Sequence, residues 1–191
     1  MCADVYTGLF RFYFPKVYQE YQQNMEALLD NHREFQRPIA NTQFAAASFI
    51  FGPHAVTFEH TDSGNKSNGI CPIFCSGTFD SRKGGHLVLR QLKLIVEFPA
   101  GSIALIPPAT LMHGNTSIQS GEQREFFTQY AAGGLFRWVQ YGFRSWKSLS
   151  AHPNLLAEEL ERRPMRWEQA ISQFSSVSSL HSDRMRLYGQ P

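Results

Sequence analysis

Histidine precedes a carboxylate by two residues at three places: His32 and Glu34, His60 and Asp62, and His181 and Asp183. Residues two apart share a face on a strand and diverge on a helix. His32 and Glu34 fall at the end of a helix expected over residues 15–35, so their side chains should point apart. His181 and Asp183 lie near the C-terminus, with no later histidine to complete a ligand set. Only His60 and Asp62 follow a strand-like run, AVTFEH, and open into a loop rich in Gly and Asn. Their side chains can meet at one ion. His113, 51 residues after Asp62 in the run LMHGN, supplies a third ligand. Two histidines and one carboxylate leave coordination positions open, which suits an Fe(II) ion that must also bind oxygen. A zinc site is more often closed or richer in cysteine. Arg124 stands eleven residues beyond His113, at the start of REFFTQYAA. Its planar, permanently charged fork suits a carboxylate held away from the metal.

The order of these motifs, HTD, then MHGN, then GEQR, resembles the 2-oxoglutarate/Fe(II) dioxygenases, whose fold is a double-stranded β-helix, or jelly-roll. The stretch KGGHLVLRQLKLIVEFPAGSIALIPPATLMHGN, followed by GEQREFFTQYAAGGLFRWVQYGF, is similar to the fungal TET/JBP-like dioxygenases, which oxidise nucleic-acid bases. The likeness spans roughly residues 44–145. It implies that His60, Asp62 and His113 bind Fe(II), that Arg124 binds the far carboxylate of the cosubstrate 2-oxoglutarate, and that O2 is consumed. Many members of the wider superfamily carry serine two residues after the arginine. Phe126 stands there in this chain, and Thr128, on the same strand face, is the candidate substitute. The implied substrate is a modified base such as 5-methylcytosine, with DNA as a partner and demethylation as an outcome. The residues alone leave open a dioxygenase acting on a small molecule or a protein side chain, and a non-catalytic jelly-roll binding module.

The elements that must position these groups follow from hydrophobic spacing. Val17, Tyr18, Tyr21, Met25, Leu28 and Leu29 recur at helical intervals, with Pro15 where a first-turn proline is tolerated. From Phe44 to about Ala132, short apolar runs alternate with Gly, Pro, Asn and Ser turns, the pattern of a strand-rich sandwich or barrel. After Gly133 the helical spacing returns, with Pro153 and Pro164 opening two further helices. The expected fold is therefore mainly β with flanking α: a jelly-roll of about eight strands between N-terminal and C-terminal helices. It should form one domain over residues 1–175, with a Ser-rich tail over 176–191 that is a lone helix or partly disordered.

Other candidates have plainer readings. Cys71 and Cys75, four apart on one strand face, are expected as small buried hydrophobes rather than a metal or redox pair. His54, His86 and His152 read as structural. Trp138, Tyr141, Phe143 and Trp146, interleaved with Arg137, Arg144 and Lys147, could stack bases and hold phosphates. An amphipathic helix accounts for them equally well.

Composition sets the outer limits. The chain has 191 residues, 42% hydrophobic, 14% aromatic and 18% charged, with sixteen Phe. That excludes a disordered chain, a coiled coil and a collagen-like rod. The net charge of +2 is too small for a strongly electrostatic nucleic-acid binder. Three cysteines fit a reducing compartment. The N-terminus lacks a signal-peptide pattern and no apolar run approaches a membrane span. The expected location is intracellular, cytoplasmic or nuclear. The sequence does not fix the oligomeric state.

Overall fold

The computed structural model describes residues 2–189. They divide into two compact units, one of residues up to Gln43 together with those from Ala132 onward, the other Phe44–Ala131.

The first unit is helical. α1 (Cys2–Tyr13) and α2 (Pro15–Asn31) are separated by Phe14, which leaves helical geometry at φ −132°, ψ 56°. Pro15 occupies the first turn of α2, where its missing N–H costs nothing. Tyr6 and Phe10, four apart and fully buried, give α1 its inner face. The Phe10 ring meets Tyr18 and Tyr21 of α2 edge-on at 5.6 and 5.1 Å. α1 was not evident from spacing, because aromatic and β-branched residues dilute its helical signal. α2 stops at Asn31, short of residue 35: His32 turns out at φ −126°, ψ 79°. The later helices are α3 (Gly133–Gln140), α4 (Trp146–Ser150), α5 (Pro153–Arg162), α6 (Arg166–Ser172) and α7 (Leu180–Tyr188), with a 3-10 turn at Arg163–Met165 around Pro164.

The Ser-rich stretch before α7 is ordered by hydrogen bonds rather than apolar contacts. Ser175 and Ser179 donate to the buried Asp183 carboxylate at 2.8 and 3.2 Å. Lys16 of α2 lies 3.5 Å from the same oxygen. The Tyr188 hydroxyl donates to the Pro15 carbonyl at 2.7 Å. Of the two expected states, lone helix or partial disorder, the helix is the one present, as α7; composition could not choose between them because serines with a buried acid and serines in solvent look alike in sequence.

The second unit carries seven strands in two antiparallel sheets: β1 (Ala46–Ile50), β2 (Cys71–Thr78), β3 (Leu87–Leu89), β4 (Leu94–Val96), β5 (Ile103–Ile106), β6 (His113–Asn115) and β7 (Gln123–Tyr130). One sheet has the order β1-β7-β2-β5, the other β4-β3-β6. Cys75, Ile106 and Phe126 from the first sheet and Leu87 and Leu89 from the second join Ala55 and Phe98 in one apolar cluster. Burying each Leu or Phe contributes about 1.5–3 kcal/mol. These antiparallel sheets with flanking helices match the coarse expectation, with seven strands among the described residues in place of about eight. The run Ala55–His60 is not a strand within a ladder. It is a segment outside the sheets, flanked by isolated bridges from His54 to Arg124 and from His60 to His113, and tied between them by the Asn115 N–H, which donates to the Thr57 carbonyl at 3.0 Å. No helix among the described residues is long and apolar enough to cross a membrane.

Candidate metal centre

His60 and His113 are locked backbone to backbone. Each N–H donates to the other's carbonyl at 2.9 Å, so two residues 53 apart in sequence become direct cross-strand neighbours, their ring centroids 4.5 Å apart. Asp62 is pinned by its own N–H, which donates to the Pro108 carbonyl at 2.9 Å. Its Oδ1 lies 3.4 Å from His60 Nε2. One ligand atom from each of His60, Asp62 and His113 falls within 4.8 Å of the others. Ligand atoms on adjacent octahedral positions around an ion lie about 3 Å apart, given metal–ligand distances of about 2.1 Å.

Both imidazoles are oriented for the task. His60 Nδ1 lies 2.8 Å from the Phe58 carbonyl, and His113 Nδ1 2.9 Å from the Leu111 carbonyl. A carbonyl can only accept, so both Nδ1 atoms carry a proton and Nε2 is the ring atom of each that is left to face a metal. Burial pushes the His113 pKa down, outweighing the Leu111 hydrogen bond. The ring is therefore neutral, the form that ligates.

Two residues that spacing did not single out hold this arrangement. A Cβ on Gly114 would sit 2.9 Å from the Thr57 carbonyl and 3.0 Å from the Glu59 N. Only glycine lets β6 approach the segment that leads into His60. Asn115 then clips the two together: its Oδ1 accepts from the Thr57 N–H at 2.8 Å, while Nδ2 donates to the carbonyls of Ala55 and Thr116 at 3.4 and 3.0 Å. The signal was the glycine within the strand run MHGN, which marks close backbone approach.

A cavity of about 420 Å³ opens at the ligands. Ser48 and Ile50 of β1, Cys71 and Ile73 of β2, and Phe126, Thr128 and Tyr130 of β7 line it, alternate residues as the pleat requires. Cys71 is buried, and both its burial and the Asp62 charge push its thiol pKa up. The group of side chains able to share one ion comprises His60, Asp62 and His113 and does not include it. Both Cys71 and Cys75 are buried free thiols.

Arg124 is 0% exposed. Its Nε donates to Cys75 Sγ at 3.3 Å, and its guanidinium carbon lies 4.1 Å from the centre of the Phe126 ring, with Phe79 and Phe98 at 5.4 and 6.0 Å. Nη1 and Nη2 have no hydrogen-bond partner among the described residues. Burial pushes the pKa of this group down. An interior cation without a carboxylate is costly. A carboxylate ligand would fit its empty fork. Phe126 rather than Arg124 forms the cavity wall here, so a ligand that reaches the fork from the cavity displaces that ring. Thr128 lines the cavity, and its hydroxyl donates to the Pro72 carbonyl at 2.9 Å.

The other histidine–acid pairs are structural. His32 and Glu34 do meet, at 3.3 Å, contrary to the expected divergence, because His32 lies beyond the helix, at φ −126°, ψ 79°. The second ring nitrogen of His32 accepts from Trp138 Nε1 at 3.2 Å, and the ring stacks on Phe35 at 4.7 Å. Neither nitrogen is left for a metal. On α7, His181 is exposed while Asp183 is buried, as helical spacing dictates. Arg137, Arg144 and Lys147 are exposed. Of the interleaved aromatics, Trp138 bonds His32, Tyr141 is buried, and Trp146 is capped by Arg163 at 4.4 Å.

No family model matches this chain, and no curated protein matches it. Among solved structures, NgTET1 in complex with 5mC DNA aligns at 18% identity and TM-score 0.44, over 56% of this chain and 42% of that one. The alignment thus spans less than half of that protein's length. A viral collagen prolyl hydroxylase from Paramecium bursaria Chlorella virus-1, in a 2OG complex, aligns at 12% identity and TM-score 0.31, over 58% and 70%. A putative mannose-6-phosphate isomerase from Ralstonia eutropha JMP134 aligns at 13% and 0.32, over 45% and 73%.

Proposed function

We propose that this chain is an Fe(II)- and 2-oxoglutarate-dependent dioxygenase that oxidises a modified nucleobase such as 5-methylcytosine. The observation that carries the reading is the His60–Asp62–His113 group at an open cavity, with both imidazole Nε2 atoms freed for a metal by their Nδ1 bonds. Bound there, Fe(II) supplies the redox chemistry that couples decarboxylation of 2-oxoglutarate by O2 to oxidation of a substrate C–H bond. The protein's part is positioning. Asp62 provides the charged ligand, the two backbone-paired histidines provide the neutral ones, and the empty fork of Arg124 receives the far carboxylate. Ile50, Ile73 and Leu87 give the cavity apolar walls, which exclude water from the reacting atoms.

The nucleobase is supported by the TET/JBP-like texture of residues 83–143 and by the exposed Arg137, Arg144 and Lys147. A base in duplex DNA must leave the stack to enter a cavity of this size. The test incubates the chain with Fe(II), ascorbate, 2-oxoglutarate and methylated oligonucleotides, then measures succinate and digests the DNA for nucleoside mass spectrometry. Iron-dependent succinate with hydroxymethyl, formyl or carboxyl cytosine is expected. Succinate without an oxidised base on single- or double-stranded substrate would overturn the nucleobase and keep the oxygenase. An absence of iron-dependent succinate would overturn both.

A further inference from the structure

β7 carries Arg124, Phe126, Thr128 and Tyr130 at alternate positions, which places them on one face of the strand. The last three line the cavity, and Arg124, the next in the row, does not. Phe126 is the residue between. Its ring centre is 4.1 Å from the guanidinium carbon, nearer than Phe79 at 5.4 Å or Phe98 at 6.0 Å. Nη1 and Nη2 of the buried Arg124 have no hydrogen-bond partner among the described residues. β7 runs between β1 and β2, with Ile50 and Cys75 across from Phe126. Cys75 is fully buried and its sulfur accepts from Arg124 Nε. Ile50 ends the outer strand, is exposed and lines the cavity. Room for the ring to turn therefore lies on the Ile50 side.

We propose that Phe126 sets the affinity for the cosubstrate by competing for Arg124: its ring and the far carboxylate of 2-oxoglutarate take the same side of the guanidinium, so the dicarboxylate binds only with the ring turned aside. This rests on the cosubstrate reading above. The aromatic face holds the cation by its quadrupole, and a carboxylate holds it by two charge-assisted hydrogen bonds. The carboxylate wins, but the ring contact it replaces is subtracted from its affinity. The competition has a sign. A residue that only fills space weakens ligand binding when it is cut back. A residue that stands in the ligand's place strengthens it. Pyruvate has no second carboxylate, ends short of the fork and leaves the ring where it is.

Calorimetry on the full chain with Mn(II), titrated with 2-oxoglutarate and separately with pyruvate, reads this competition. Phe126→Leu keeps the core filled and removes the aromatic face. It should tighten 2-oxoglutarate by about three- to thirtyfold, the range of one desolvated cation–π contact, and leave pyruvate and Mn(II) unchanged. Circular dichroism checks that the variant folds. Phenylglyoxal, which modifies guanidinium groups it can reach, reads the seal without any cosubstrate. By peptide mass spectrometry Arg124 should react about tenfold faster in Phe126→Ala than in wild type, since a group reached only through local opening reacts slowly. A 2-oxoglutarate affinity equal or weaker in Phe126→Leu overturns the proposal and keeps the cosubstrate reading. Equal tightening of pyruvate also overturns it, because the ring would then only narrow the cavity. So do equal phenylglyoxal rates. If wild type and variant both bind Mn(II) and neither binds 2-oxoglutarate, the cosubstrate reading falls and the proposal with it.

Discussion

A guanidinium sealed among three phenyl rings is the least expected feature of this molecule. Cation–π contact with Phe126 and a thiol bond recover part of its desolvation, and two Nη groups stay unsatisfied. Without ligand, Arg124→Met should therefore stabilise the chain, by about 1–3 kcal/mol, seen as a higher Tm. The same variant should lose any rise in Tm caused by 2-oxoglutarate. A lower Tm in the ligand-free variant would show that the fold needs the charge for itself. At the metal, Asp62→Ala should weaken Fe(II) or Mn(II) binding by 100-fold or so, read by calorimetry. Alanine at His32, Glu34, His181 or Asp183 should leave it unchanged. Loss of metal at either control pair would move the site.

At the scale of elements, Gly114 decides how closely β6 approaches the segment leading into His60. Gly114→Ala should force that segment back, cost about 1–3 kcal/mol and weaken metal binding, because the His60–His113 backbone pair is what brings the imidazoles together. Unchanged metal affinity would mean the pair tolerates displacement. In the helical unit, the Asp183 pKa is lowered from the ordinary 3.8, chiefly by the Ser175 hydroxyl, with Lys16, Ser179 and Arg186 adding to it. A depressed carboxylate stabilises the fold above its unfolded pKa, and this stabilisation is lost as pH falls through the folded value. Asp183→Asn should thus lower Tm near neutrality and lose its effect in strong acid. An equal deficit at every pH would assign the loss to packing.

Much of this layer could be read in advance. β2, β5 and β7 are apolar runs bounded by Gly, Pro or Ser, and each formed where the turns placed it. The pairing of His60 with Asp62 was reached from a strand that does not exist as a ladder. What holds the segment instead is the bridge from His60 to His113 together with the clasp of Asn115 on Thr57. The burial of Arg124 was not legible. Its walls come from Phe79, Phe98 and Phe126, brought together only by the sheets, and a hydrophobic pattern assigns a charge to the surface by default. The same limit hid the burial of Asp183, whose serine donors lie in a tail read as a lone helix or partly disordered.

Over the whole molecule, charge is mild and divided: net −1 over residues 1–136, from 10 Lys/Arg and 11 Asp/Glu, and net +3 over 137–191, from 8 and 5. If DNA is the substrate, its binding should fall steeply with salt as counterions are released. Replacing Arg137, Arg144 and Lys147 together should flatten that slope while uncoupled 2-oxoglutarate turnover persists; an unchanged slope would remove these residues from the interface. All of this presupposes one metal on three side chains. A crystal structure with Mn(II) and a 2-oxoglutarate analogue tests that most directly, through the anomalous signal of the ion. The account predicts a single peak about 2.0–2.3 Å from Nε2 of His60, a carboxylate oxygen of Asp62 and Nε2 of His113, with the analogue completing the coordination. A peak elsewhere, or three side chains that point away from a common centre, would contradict it.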